Sequence, residues 1–223
     1  EVALSILAQN DDEKSKYCDI LKQKGDALEK LEKIDEAIGP YLKYIELMPD
    51  DIQTTFIITN LYSKLKKWDK SLEWNDKHYA LISSAKEKVE NRLKHAKILI
   101  DGFTDLDKAV LAYEEAIKHD NTSLRAIEGI SKIYLSQKNW QSLTKSYSNF
   151  LSNIPSESKK IGFPIHLALG HLLNDKLGDI PGAISQFEKA LEIDPSHFET
   201  QVALAELKSS LPDLNKDAVE CHI

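Results

Sequence analysis

Apolar positions recur along the chain at a helical period. Leu21 and Leu28 stand seven apart and share one face at 3.6 residues per turn. Ala37, Tyr41 and Tyr44 form an i, i+4, i+7 stripe on the segment that follows. Pro49 then breaks the pattern, and Asp50 and Asp51 are suited to accept from the free N–H groups that open the next helix. The same punctuation returns at Pro155-Ser156 and Pro195-Ser196, with Asn121-Thr122-Ser123 in its place in between. The pattern predicts short amphipathic helices joined in pairs and an all-α fold.

The pairs repeat. Asp35-Glu36-Ala37-Ile38, Asp69-Lys70-Ser71-Leu72, Asp107-Lys108-Ala109-Val110, Gln141-Ser142-Leu143-Thr144 and Pro181-Gly182-Ala183-Ile184 align, and their third residues are spaced by 34, 38, 34 and 40. The surplus over 34 is expected in two places. One is near Ser83–Lys88, between hairpins, and the other is at Ser158–Gly162 with one more residue in the turn near Lys176. The slot before each second helix is large and apolar: Ile34, Trp68, Leu106, Trp140 and Ile180. These tryptophans read as packing residues. Small residues (Gly25, Ala37, Gly170, Ala183, Ala190) would let the two helices of a hairpin approach, and Tyr41, Tyr147 and Phe187 would wedge between one hairpin and the next.

The chain resembles the tetratricopeptide repeat family, whose unit is 34 residues long. The best-matched unit carries Leu169-Gly170, Gly178-Asp179, Ala183, Phe187, Ala190 and Asp194-Pro195. The first matches through Gly25, Leu28, Ala37, Tyr41 and Pro49, and the fourth through Tyr134, Trp140, Tyr147, Phe150 and Pro155. The resemblance implies a right-handed α-solenoid of antiparallel helix pairs spanning 1–223 as a single array. Its parts would be 1–17 (the end of a preceding hairpin and a linker), repeats at 18–51, 52–85, 90–123, 124–157 and 163–197, and a partial sixth at 198–223. Glu1–Gln9 reads as a second helix of an earlier hairpin, and Leu211-Pro212-Asp213 as a turn before a further helix. Neither end resembles a polar cap, and with Glu1 in first place the chain reads as a segment of a longer or processed protein. The repeat at 52–85 departs most, with Ser71, Asn75 and His78 where the family prefers apolar residues and Ser83 where it prefers Pro. Lys97 replaces a small residue in the next repeat, and Leu143 replaces an Ala.

Composition narrows the function. Hydrophobic residues make up 42% of the 223, enough to bury a core, and a formal net charge of −7 disfavours phosphate partners, so nucleic acid is not expected. Lys64–Lys67 and Lys159–Lys160 are too short to form a basic patch and fall at turns. Cys18 and Cys221 show neither CxxC nor Cys/His spacing, which argues against a disulfide framework or structural zinc. His166 and His171, five apart, would point about 140° from each other on a helix and cannot chelate together. No HExxH, phosphate loop, nucleophile elbow or dinucleotide fingerprint occurs, and no apolar run is long enough to span a bilayer. Asp11, Asp12 and Glu13 suit a helix start better than acid–base chemistry. Catalysis, cofactor and metal are therefore not expected.

The expected role is protein–protein interaction, as scaffold or adaptor, with a peptide or partner protein lying in a groove built from the first helix of each hairpin. Self-association through open ends, and service as a regulatory or substrate-docking segment of an enzyme or RNA-associated complex, are the alternatives. By the family's register the groove-facing residues include Phe56, Asn60, Lys94, Ile98, Arg125, Lys132, His171 and Asn174. One subgroup of the family grips a terminal carboxylate with Lys, Asn, Asn, Lys and Arg. That register yields Phe56, Asn60, His95, Arg125 and Gly129 in the second to fourth repeats. Only Asn60 and Arg125 fit, so that clamp is not expected.

Overall fold

The computed structural model describes residues 11–210, and among these every regular element is helical. The packing divides into two compact units, Glu1–His119 and Asp120–Ile223. Unit 1 contains α1 (Asp11–Lys30), α2 (Ile34–Leu47), α3 (Ile52–Lys64), α4 (Trp68–Leu81), α5 (Ala85–Ile98) with a π turn (Leu99–Phe103), and α6 (Leu106–His119). Unit 2 contains α7 (Leu124–Ser136), α8 (Trp140–Asn153), a 3-10 turn (Ser156–Gly162), α9 (Phe163–Leu172) with a π turn (Leu173–Leu177), α10 (Ile180–Ile193) and α11 (Phe198–Ser210). The elements are antiparallel helix pairs of the α-solenoid class. The expectations for Glu1–Gln9, for the residues from Leu211 onward and for Cys221 lie outside the described residues.

Each second helix opens on the apolar slot residue read from the sequence, and each hairpin turn carries one left-handed residue: Glu32, Lys66, Thr104, Lys138 and Gly178. These five repeat the 34, 38, 34 and 40 spacing. In three turns the closing bond is the six-to-one bond of a Schellman end: Lys33 N donates to Leu28 O (2.9 Å), Lys67 N to Tyr62 O (2.9 Å) and Asn139 N to Tyr134 O (2.9 Å). In the other two the π turn adds one residue, so Asp105 N reaches back to Leu99 O (3.2 Å) and Asp179 N to Leu173 O (2.9 Å).

The surplus in the third hairpin is not a link between hairpins. It is helical: α5 begins at Ala85, with Lys88 N donating to Ser84 O at 3.0 Å, and its last turn widens into the π turn. Residues 11–17, expected to be linker, are the first turns of the 20-residue α1, and Asp11, Asp12 and Glu13 lie at its positive end. Asp51 caps α3 by accepting from Thr54 N (2.7 Å), and Asn139 and Asp179 cap α8 and α10 in the same way.

The core of unit 1 is Ala37, Ile38, Tyr41, Ile58, Leu61, Tyr62 and Trp74, with Cys18, Leu21 and Tyr44 packed at the α1–α2 end. Small-against-large packing acts within a hairpin, and Tyr41 also shares a core cluster with Ile58 and Leu61 of the next hairpin. A Cβ on Gly25 would stand 2.6 Å from the ring of Tyr41, and one on Gly170 would stand 2.6 Å from the ring of Phe187.

A polar-based groove in the first unit

The second helices place a ring at their eighth residue in four hairpins: Tyr41 in α2, Tyr113 in α6, Tyr147 in α8 and Phe187 in α10. In α4 that residue is Asn75, and Ser71 and His78 stand where α2 has Ala37 and Tyr44. All three are buried, Asn75 to 1% exposure, and a buried polar group without a partner costs several kcal/mol, about 1–3 in mutational data. Neighbouring helices supply those partners. Ser71 Oγ donates to Thr59 O (3.1 Å), which leaves it to accept from Ser63 Oγ (2.6 Å). Asn75 Nδ2 donates to Asn91 Oδ1 (3.2 Å), and Asn91 Nδ2 returns a bond to the Asn75 carbonyl (2.9 Å).

His78 Nδ1 lies 3.1 Å from Ile52 O and 3.1 Å from Thr55 Oγ1. A carbonyl only accepts, and Thr55 Oγ1 already donates to Ile52 O at 2.7 Å. Nδ1 therefore carries the proton, and Nε2 is a bare acceptor. Burial holds the His78 pKa below its ordinary value, against the opposing pull of the Ile52 carbonyl, so the ring is neutral near pH 7.

Above these residues lies a groove of about 510 Å³. Its walls are Ile52, Gln53 and Phe56 from α3 and the stretch of α5 that includes Lys86, Glu87, Asn91 and Lys94; Asn75 and His78 are at its base. Phe56 is 45% exposed and tilts against His78 with ring centroids 5.5 Å apart. Lys94 Nζ lies 5.7 Å from the Phe56 centroid and donates to Asn60 Oδ1. Burial lowers the Lys94 pKa, and Lys97 pushes it the same way. Glu87 and Glu90 line the same groove as Lys94.

Behind the groove, Arg92 locks α5 to its neighbours. Its guanidinium donates to Asn91 Oδ1 (2.7 Å), Glu115 (3.2 Å) and Asp76 (3.4 Å), and stacks 3.9 Å from the Tyr79 ring centroid. Burial opposes the charge on Asp76, but His95 and Arg92 together hold its pKa below the ordinary carboxylate value. A guanidinium so fully engaged fixes the backbone that carries Asn91 and Lys94.

Of the eight residues expected to face a groove, Phe56, Asn60 and Lys94 come together here. Ile98 does not. It is 2% exposed and belongs to the core, because α5 turns this face inward as it enters the π turn. The other four belong to unit 2. Arg125 and Lys132 are exposed on α7, His171 stands edge-on to Phe187 at 5.1 Å, and Asn174 donates to Asp175 Oδ1 (2.8 Å). The sequence marked Ser71, Asn75 and His78 only as departures from a pattern. That departure was the available signal for the base of the groove.

Among the described residues no helix is long and apolar enough to cross a membrane, and no cluster of three or more His, Cys, Asp or Glu could hold a metal ion.

Residues 163–197 match the family model described as tetratricopeptide repeat. The fold agrees with solved structures of such arrays. A MamA protein aligns with a TM-score of 0.52 at 20% identity, over 81% of this chain and 93% of that one. The C-terminal part of a TPR repeat-containing protein from Cytophaga hutchinsonii aligns with 0.51 at 18% identity, over 83% and 69%. Residues 163–197 are thus matched as a tetratricopeptide repeat, and the rest of the chain shares the fold of such arrays. The TPR domain of P58(IPK) also aligns, with a TM-score of 0.50 at 12% identity, over 88% of this chain and 66% of that one. At these identities the likeness is one of fold. No curated protein sequence matches the chain. Within the TPR frame, Asn75 and His78 are what set the second hairpin apart.

Proposed function

We propose that this TPR chain is a protein-interaction segment and that the groove over Asn75 and His78 is where unit 1 receives a peptide or a segment of a partner protein. One observation carries the reading: an exposed phenyl ring and a half-buried lysine stand side by side over a base in which Asn75 and Asn91 bond each other. Such a site offers apolar area and one directed charge, the ingredients of a recognition hot spot. The repeats supply the rigidity, since each hairpin is held by its neighbours. Arg125, Lys132, His171 and Asn174 form a second candidate surface in unit 2.

The test is affinity capture with the intact chain and with Phe56→Asp, after circular dichroism shows equal helicity. Capture of a defined protein by the parent and its loss with the variant supports the groove. Equal capture by both removes the groove from the function, and a parallel Arg125→Glu variant tests the unit 2 surface.

A further inference from the structure

We infer that the groove takes an aromatic side chain of a partner peptide and sets a neighbouring acidic side chain of that peptide against Lys94. This rests on the reading of the groove as a binding site and adds the chemistry of what binds.

The hairpins differ at the base of the groove. Tyr41 lies on Gly25 and Phe187 on Gly170, so in those hairpins a ring from the second helix fills the space over the first. In the second hairpin Thr59 stands in the place of the glycine and Asn75 in the place of the ring. Asn75 is drawn towards α5 by its exchange of bonds with Asn91. The groove opens where Asn75 lines it, and its volume of about 510 Å³ admits one large side chain with its backbone.

Two of its surfaces are already rings. Phe56 and the neutral imidazole of His78 meet at 45°, an open corner into which a third ring packs edge-to-face against either. His78 Nε2, an acceptor with no hydrogen bond among the described residues, suits a ring bearing a donor, as a tyrosine hydroxyl does.

The acid follows from Lys94. Its ammonium has three donors and gives one to Asn60. A partly buried ammonium is stabilised most by an anion that shares its desolvated site. Lys86, Glu87 and Glu90 also line the groove, but all three are exposed, and their charges are screened by solvent. Lys94 is the cation placed to select.

The test uses the full 223-residue chain and blocked pentapeptides of alanine carrying, at their centre, tyrosine next to aspartate in either order, tyrosine next to asparagine, aspartate without tyrosine, or neither. Affinities come from calorimetry, and the site from NMR shifts of the 15N-labelled chain. The tyrosine–aspartate probe is expected to bind about tenfold more tightly than either probe with one feature. Lys94→Gln should make the aspartate and asparagine probes equal while keeping the tyrosine preference. Asn75→Tyr should abolish binding by filling the groove from within, and Phe56→Ala serves if that variant does not fold. Equal binding of all probes, or an aspartate preference that survives Lys94→Gln, overturns the proposal. If no probe binds while Phe56→Asp still loses a captured protein, the ligand chemistry falls and the groove stands. If the probes shift residues away from Phe56, His78 and Lys94, both fall.

Discussion

Asn75 and Asn91 satisfy each other across α4 and α5, each giving its amide to the other residue's carbonyl oxygen: Asn75 Nδ2 to the side chain of Asn91 at 3.2 Å, and Asn91 Nδ2 to the backbone of Asn75 at 2.9 Å. This exchange ties the second and third hairpins together at the residue where four other second helices carry a ring. It makes the base of the groove directional, because an amide pair fixes orientation where a packed ring would tolerate sliding.

Removing one member of the pair should therefore cost more than removing both. Asn91→Leu leaves Asn75 and Arg92 short of partners and is expected to destabilise the fold by about 1–3 kcal/mol. Asn75→Leu with Asn91→Leu should recover part of that loss. Urea unfolding of the two single variants and the double variant gives the coupling. Strict additivity would show that the exchange carries no weight.

Stability should fall as the medium becomes mildly acidic. His78 and His166 both have pKa values held below the ordinary 6.5 by burial. Where folded values lie below unfolded ones, the unfolded chain binds more protons between the two. The contribution is thus fully present above about pH 6.5 and is lost as pH falls towards the folded values. The thermal midpoint should be lower at pH 5.5 than at pH 7.5, and His78→Gln should shrink the difference. An unchanged difference would show that His78 does not report on folding.

Gly170→Ala should destabilise unit 2. Its Cβ would stand 2.6 Å from the Phe187 ring, which is 1% exposed and has no free direction in which to move. The expected loss is about 1–3 kcal/mol, read as a lower urea midpoint. Gly39→Ala is the control, since its Cβ meets nothing within 4 Å.

Lys66→Gly should stabilise unit 1. Lys66 holds a left-handed φ of +55°, where a side chain costs about 1–2 kcal/mol and glycine costs little. Gly178, at +66°, already has the favoured residue, so Gly178→Ala should lower the thermal midpoint by a comparable energy. A fall in stability with Lys66→Gly would mean that the lysine side chain contributes more than its strain.

Much was legible in the chain itself. The spacing of Ala37, Ser71, Ala109, Leu143 and Ala183 fixed the hairpins, because helix pairing depends on local periodicity and on residues that stop helices. Phe56, Asn60 and Lys94 were also recoverable, since a helical register assigns faces as long as the helix stays regular. The register failed at Ile98, where α5 widens into a π turn with no proline or glycine ahead of it to announce the change.

The sequence by itself determined the helices, their pairing and the turns, all of which follow from contacts near in the chain. Only the tertiary structure decided that Ser71, Asn75 and His78 are buried and bonded rather than exposed, that Lys94 lies over Phe56, and that a groove opens between them. The reason is that a polar residue on an inward face can be rescued only by partners from other helices. Asn91 and Thr55 are such partners, each set by packing 16 to 23 residues away in the chain.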